Sequence, residues 1–129
     1  MSTKKEIINT VDAPTPIGPY NQAVQAGNTL YVSGQIALSP ETGELIQGSV
    51  VEETRQVLTN LGAVLAAAGY SFTDVVKTSI FLRRMDDFTA VNEVYGEYFT
   101  EQAPARETVA VAGLPKNVNV EISVVAWKA

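Results

Sequence analysis

The sequence predicts one two-layer α+β domain, a sheet with two helices on one face, in the order β-β-β-α-β-α-β-β. Three observations predict it. Two stretches carry apolar residues at helical spacing, six shorter runs read as strands, and the 129 residues contain no linker, repeat or low-complexity tract. At 46% hydrophobic and 18% charged, the chain is long enough to bury a core of its own.

The first strand is placed at residues 5–9. Residues 13–20 hold Pro14, Pro16 and Pro19, whose fixed φ and missing N–H forbid helix. Residues 23–26 and 29–35 form a hairpin about Gly27 and Asn28, and residues 39–44 turn at Pro40 and Gly43. A helix is predicted over 50–68, with Val50, Val51, Thr54, Val57, Leu58, Leu61, Val64, Leu65 and Ala68 on one stripe. Ser49-Val50-Val51-Glu52 is a capping-box pattern at its start, and Gly69 suits its stop. A strand rich in β-branched residues follows at 75–82. The second helix starts at Asp86 or Asp87 and carries Phe88, Val91, Val94, Tyr95, Tyr98 and Phe99. Two strands, 106–112 and 118–127, end the chain.

Both helices have one apolar stripe, so both can lie on one sheet face. Ala23, Val75, Val109, Val111, Val124 and Val125 supply more apolar strand positions than that layer covers, which predicts self-association. Without cysteine or histidine the chain can build neither disulfides, nor Cys/His metal sites, nor a His-dependent triad. A net charge of −5 with no basic run argues against nucleic acid or an anionic membrane. The N-terminal residues lack the apolar stretch of a secretory signal, so the expected location is cytoplasmic.

Few residues are left to carry chemistry. Strand alternation puts Arg106 with Thr108, and Glu121 with Asn119 and Ser123. If the last two strands pair as a hairpin, Arg106 and Glu121 come together at one end of the sheet. A guanidinium fork clamps a substrate carboxylate, and a carboxylate beside it orients water or moves a proton. By spacing alone, an edge salt bridge is the plainer reading. Ile17-Gly18-Pro19-Tyr20 is a rigid turn that delivers Tyr20 either to a site or to a loop anchor. Ser33-Gly34-Gln35 reads as a bulge or a close backbone approach, and Asn92 flanks the second helical stripe. Lys77 reads as an exposed strand lysine rather than a Schiff-base former. The pairs Glu52-Glu53 and Asp86-Asp87 read as helix-start acids rather than metal ligands.

In chain order stand Ile17-Gly18-Pro19-Tyr20, Ser33-Gly34-Gln35, Thr42-Gly43-Glu44, Val91-Asn92 with Tyr95 and Phe99, Pro104-Ala105-Arg106 and Val120-Glu121-Ile122. Together these motifs resemble the RidA (YjgF-type) reactive-intermediate deaminase family, over residues 9–126. The resemblance implies a chorismate-mutase-like fold and a homotrimer with sites in clefts between subunits. It implies hydrolysis of 2-imino acids, or their enamine tautomers, to 2-oxo acids and ammonia, without a metal or other cofactor. It assigns Arg106 to the substrate carboxylate, Glu121 to the attacking water, and Tyr20, Ser33, Gly34, Asn92 and Thr108 to the pocket. Thr108 stands where several members carry cysteine, so no thiol attacks here. Glu107 replaces a commonly small polar residue, and the loop 100–103 is shorter than in many members. A trimer of this fold that senses ligands, regulates or chaperones without turnover is the alternative.

Overall fold

The structure, a computed structural model, describes residues 4–129; the expectation about the N-terminal stretch falls partly on residues 1–3, outside the described part. The elements are β1 (Glu6–Ile8), β2 (Ala23–Ala26), β3 (Thr29–Gln35), α1 (Val50–Ala67), β4 (Val75–Leu82), α2 (Phe88–Tyr98), β5 (Ala105–Ala110) and β6 (Val120–Trp127). They form one six-stranded sheet in the order β1-β2-β3-β6-β4-β5. Only β4 and β5 are parallel, because α2 carries the chain back to the start of the sheet between them.

Alternation along the strands decides what each face holds. Leu30 and Val32 of β3, Ile80 and Leu82 of β4, and Val120, Ile122, Val124 and Ala126 of β6 are buried together. Val57, Leu58, Leu61, Val64 and Leu65 of α1 and Val91, Val94 and Tyr95 of α2 close over them. Truncating one such leucine to alanine typically costs about 2–5 kcal/mol, so this layer holds the fold. At the start of α1 the Ser49 side chain accepts from the Glu52 N–H, and beyond its end Gly69 takes a left-handed φ of 81°.

Three expectations need correction. The last two strands do not pair: β4 lies between β5 and β6, since parallel pairing with β4 takes β5 to the sheet edge. The five-residue connection that looked like a hairpin loop instead makes a short 3-10 turn, Pro115–Asn117, with Lys116 and Asn117 both left-handed. Ala23, Val75 and Val124, counted as surplus apolar positions, lie inside the helix-covered core. The open face is apolar through other residues: Ile7, Val24, Tyr31 and Val125 stand in one cross-strand row, with Phe81, Val109 and Trp127 beside it. Ile7, Tyr31, Val109 and Trp127 are exposed. The acids at the helix starts do not all cap. Asp86 pairs with Arg84, Asp87 makes no capping bond, and Glu53 is buried against β6.

Candidate active site

Sheet register separates the two charged residues that the sequence brings into question. Arg106 is opposite Thr78, in a row that continues through Val124, Val32 and Ala23, all on the helix-covered face. Glu121 is opposite Phe81, which is opposite Val109, on the open face. With β4 between their strands and the sheet between their side chains, Arg106 and Glu121 of one chain occupy separate half-sites.

The Arg106 half-site sits at the outer edge of the sheet, under α2. The Arg106 guanidinium donates to Asn92 Oδ1 at 2.8 Å. It lies over the Tyr95 ring at 4.8 Å and the Phe88 ring at 5.8 Å. One edge bond and two aromatic faces hold the fork with no carboxylate partner among the described residues, leaving its remaining N–H groups for a ligand. The Tyr95 hydroxyl is anchored on Thr78 Oγ1 at 3.0 Å. Burial pushes its phenol pKa up, against the opposing effects of the Thr78 hydroxyl and Arg106. A cavity of about 270 Å³ opens here, between Asn92, Tyr95, Pro104 and Arg106. Thr108 follows Arg106 on the same face, and its hydroxyl is buried without a hydrogen-bond partner. Glu107 points to the other face, where it pairs with Lys77 Nζ at 2.7 Å and accepts from Ser79, holding its carboxyl below the usual range.

The Glu121 half-site is a cavity of about 340 Å³ bordered by Ile17, Tyr20, Ser33, Gly34 and Glu121. Its floor is a bulge: Ser33 and Gly34 of β3 stand opposite Ser123 alone. The Ser33 hydroxyl donates to Asn21 O at 2.6 Å, tying the bulge to the loop that carries Tyr20. That loop folds on itself, with the Ile17 N–H donating to the Tyr20 hydroxyl at 3.3 Å. Glu121 lies across Gly34 so closely that a Cβ there would sit 2.1 Å from Oε2. Burial raises the Glu121 pKa, and among the described residues no cation pairs with it. Partial burial therefore favours the protonated form of Glu121 more than water does, the direction wanted in a group that passes a proton.

Gly34→Ala tests the close approach. The collision is with a movable side chain, so stability should change by less than about 1 kcal/mol while Glu121 is pushed aside. Any turnover that uses Glu121 should fall tenfold or more (an order-of-magnitude expectation for a misplaced group). Unchanged kcat beside an unchanged melting curve would show that the position of Glu121 is immaterial.

Over residues 10–128 the chain matches the family described as Endoribonuclease L-PSP. It belongs to that family, the YjgF/RidA proteins. This Rid-family chain is 53% identical over 124 residues to a RutC family protein of Pyrococcus horikoshii, covering 96% of this chain and 98% of that one. It is 50% identical to a 2-iminobutanoate/2-iminopropanoate deaminase of Capra hircus, covering 97% of this chain and 91% of that protein. Among solved structures it superposes on RidA from an Antarctic Psychrobacter with a TM-score of 0.92 at 43% identity, covering 95% and 99% of the two chains. It superposes on TdcF of E. coli, solved with bound serine, with a TM-score of 0.91 at 42% identity, covering 96% and 99%. Sequence reasoning placed Phe88 only in an apolar stripe, gave Tyr95 as a stripe and motif residue without a role at the site, and did not single out Gln22, which borders the Glu121 cavity. Their roles toward Arg106 and the loop depend on which strand lies under α2 and which loop crosses β2.

No helix among the described residues is long and apolar enough to cross a membrane, and none of their acidic side chains form a group of three suited to a metal ion.

Proposed function

We propose that this chain is a hydrolytic deaminase of reactive 2-imino acids such as 2-iminopropanoate and 2-iminobutanoate, acting at a site completed by a second copy. The observation that carries the reading is the division into two half-sites. Among the described residues, one presents a pre-oriented guanidinium without a carboxylate partner; the other presents a half-buried carboxylate that no cation pairs. Each lacks what the other supplies. The apolar open face supports the same reading, since it is costly until covered, and the buried Thr108 hydroxyl still lacks a hydrogen-bond partner that a bound polar group could supply.

The chemistry suits these groups. A protonated imine conjugated to a carboxylate is already an electrophile, so the protein need only bind, orient and move protons. Arg106 grips the substrate carboxylate. Glu121 holds a water against C2 and takes its proton as the C–O bond forms. The nitrogen of the resulting tetrahedral carbinolamine then receives a proton from Glu121, the C–N bond breaks with its electron pair on nitrogen, and ammonia leaves. Loss of the hydroxyl proton gives the 2-oxo acid. Water is the only co-reactant and no net oxidation occurs.

The two half-sites lie on opposite faces of the sheet, so the contact we propose is head-to-tail and closes into a ring. We take that ring to have three members, as the family resemblance implies, and light scattering tests it as a mass of about three times 13.8 kDa. Subunit mixing tests the shared site. Arg106→Ala and Glu121→Ala chains, each inactive alone, are co-expressed so that their subunits mix. About a quarter of the sites then join an intact Arg106 to an intact Glu121, and roughly a quarter of wild-type turnover should return. Mixed oligomers that recover nothing would overturn the two-copy site, and a wild-type chain that fails to accelerate 2-oxo acid formation would overturn the deaminase reading. Binding of 2-oxo acid without turnover would favour the ligand-sensing alternative.

A further inference from the structure

Two walls of the Glu121 cavity, residues 10–17 and 36–38, are irregular backbone outside the named strands, and a third side is the start of β6; each is tied to one buried polar side chain. Gln22, 2% exposed, shares its amide N–H groups among the carbonyls of Thr10 (3.0 Å), Ala13 (3.2 Å) and Pro14 (2.8 Å). Its Oε1 accepts from the Thr10 N–H at 2.6 Å. These bonds hold the proline-rich wall that carries Ile17 and Tyr20. Asn60 of α1, fully buried, donates to the carbonyls of Ile36 (3.1 Å) and Leu38 (3.0 Å), the wall beyond the bulge. Glu53 of α1, 5% exposed, accepts from the Asn119 N–H (2.8 Å), the Val120 N–H (3.3 Å) and Asn119 Nδ2 (2.9 Å). That fixes the backbone immediately before Glu121.

The distribution is selective. Six polar or charged residues are buried among the described ones. Thr54 bonds within α1, Thr78 receives the Tyr95 hydroxyl, and Gln35 borders the cavity itself. Of the remaining three, Gln22 and Asn60 hold backbone that borders the cavity, and Glu53 holds the two residues that lead into Glu121. A helix can dock on a sheet with apolar side chains alone, but main-chain groups of the segments beside it need partners once they are buried. What polar side chains add here is a fixed distance between helix α1, or strand β2, and loops that would otherwise drift.

We propose that Gln22, Asn60 and Glu53 are positioning residues of the Glu121 half-site, each setting one wall of the cavity. The kinetic consequence rests on the deaminase reading; the geometric one does not. Glu121 has little clearance over Gly34. A small drift of β6 or of the proline-rich loop therefore moves the water it holds, and misplacement by an ångström costs about a hundredfold in rate. Arg106, in the other half-site, still grips the carboxylate.

The test compares Gln22→Met, Asn60→Leu, Glu53→Leu and the conservative Glu53→Gln in the full-length chain. Turnover of 2-iminopropanoate, generated in situ by an amino-acid oxidase, is read alongside amide hydrogen exchange. The apolar variants should lose roughly tenfold or more in kcat with KM within about threefold of wild type. Each should speed exchange chiefly in its own wall: residues 10–17 for Gln22→Met, 36–38 for Asn60→Leu and 119–121 for Glu53→Leu. Glu53→Gln should rescue, to within about threefold of wild-type kcat, because its carbonyl still accepts from both backbone N–H groups and the Asn119 amide can turn over. Folded variants with unchanged kcat and unchanged exchange overturn the proposal. So does exchange that quickens across the whole domain, or a Glu53→Gln variant as impaired as Glu53→Leu. A wild-type chain without deaminase activity sinks the functional reading alone, and the exchange pattern then decides the positioning claim. If Asn60→Leu does not fold, the two Glu53 variants make the same comparison.

Discussion

Arg106→Ala is expected to lower kcat/KM for 2-iminopropanoate by roughly 30-fold to several thousand-fold. Truncating one partner of a hydrogen-bonded charge pair typically costs about 2–5 kcal/mol, and each 1.4 kcal/mol is a factor of ten. The loss should extend to 2-oxo acid binding, because the clamp acts on a carboxylate that substrate and product share. Folding should be nearly untouched, since Arg106 is exposed at an edge strand and makes no ion pair among the described residues. Arg106→Lys should recover only part of the activity: an ammonium keeps the charge but not the planar fork that stacks on Tyr95 while bonding Asn92. The measurement is oxo-acid formation under a fixed oxidase flux, with titration of the 2-oxo acid for binding. Full activity in Arg106→Ala would end the assignment.

Glu121→Gln is expected to lower kcat by about 10²–10⁴-fold, the range for removing a general acid–base, while 2-oxo acid binding changes by less than about threefold. The pH dependence follows from burial. Because burial lifts the Glu121 pKa, wild-type kcat/KM should fall on the acid side at a pH above the ordinary glutamate range. That limb should be missing from the residual activity of Glu121→Gln. Stability moves the opposite way. A carboxyl whose folded pKa lies above its unfolded value contributes stability below the unfolded pKa and loses it as pH rises through the folded one. Glu121→Gln should therefore melt higher than wild type at pH 7, with the difference closing as pH falls to the ordinary carboxylate range. Equal loss of kcat and product affinity, with no acid limb in wild type, would reduce Glu121 to a pocket wall.

How much of this was legible in the sequence differs from residue to residue. The β2, β3 and β4 boundaries match the predicted ones, and α1 ends one residue early, because period-two and period-3.6 patterns are local properties of the chain. The bulge at Ser33 and Gly34 was legible because a glycine inside a strand pattern marks a close approach. Alternation also correctly turned Glu107 away from Arg106. The partner of Arg106 was not legible. Asn92 looked like a flanking helical polar residue, and only the parallel docking of β5 on β4 beneath α2 places Arg106 against it. Glu53 was misread for a similar reason. In sequence it is one of two acids in a first helical turn, and its carboxylate reaches Asn119 and Val120, 66 and 67 positions away.

By itself the sequence determined which groups are present and which face of its own element each occupies. With no cysteine or histidine, the chemistry proposed for Arg106 and Glu121 rests on the family motifs that single them out. Whether that arginine and glutamate meet is a question of strand order, which loop length and periodicity do not encode. The tertiary structure decided it: β4 enters between β5 and β6, so Arg106 and Glu121 emerge on opposite faces of one sheet. Side-chain direction is inherited across a ladder row by row, so once β5 pairs with β4, no rotamer of either residue can bring them together within one chain.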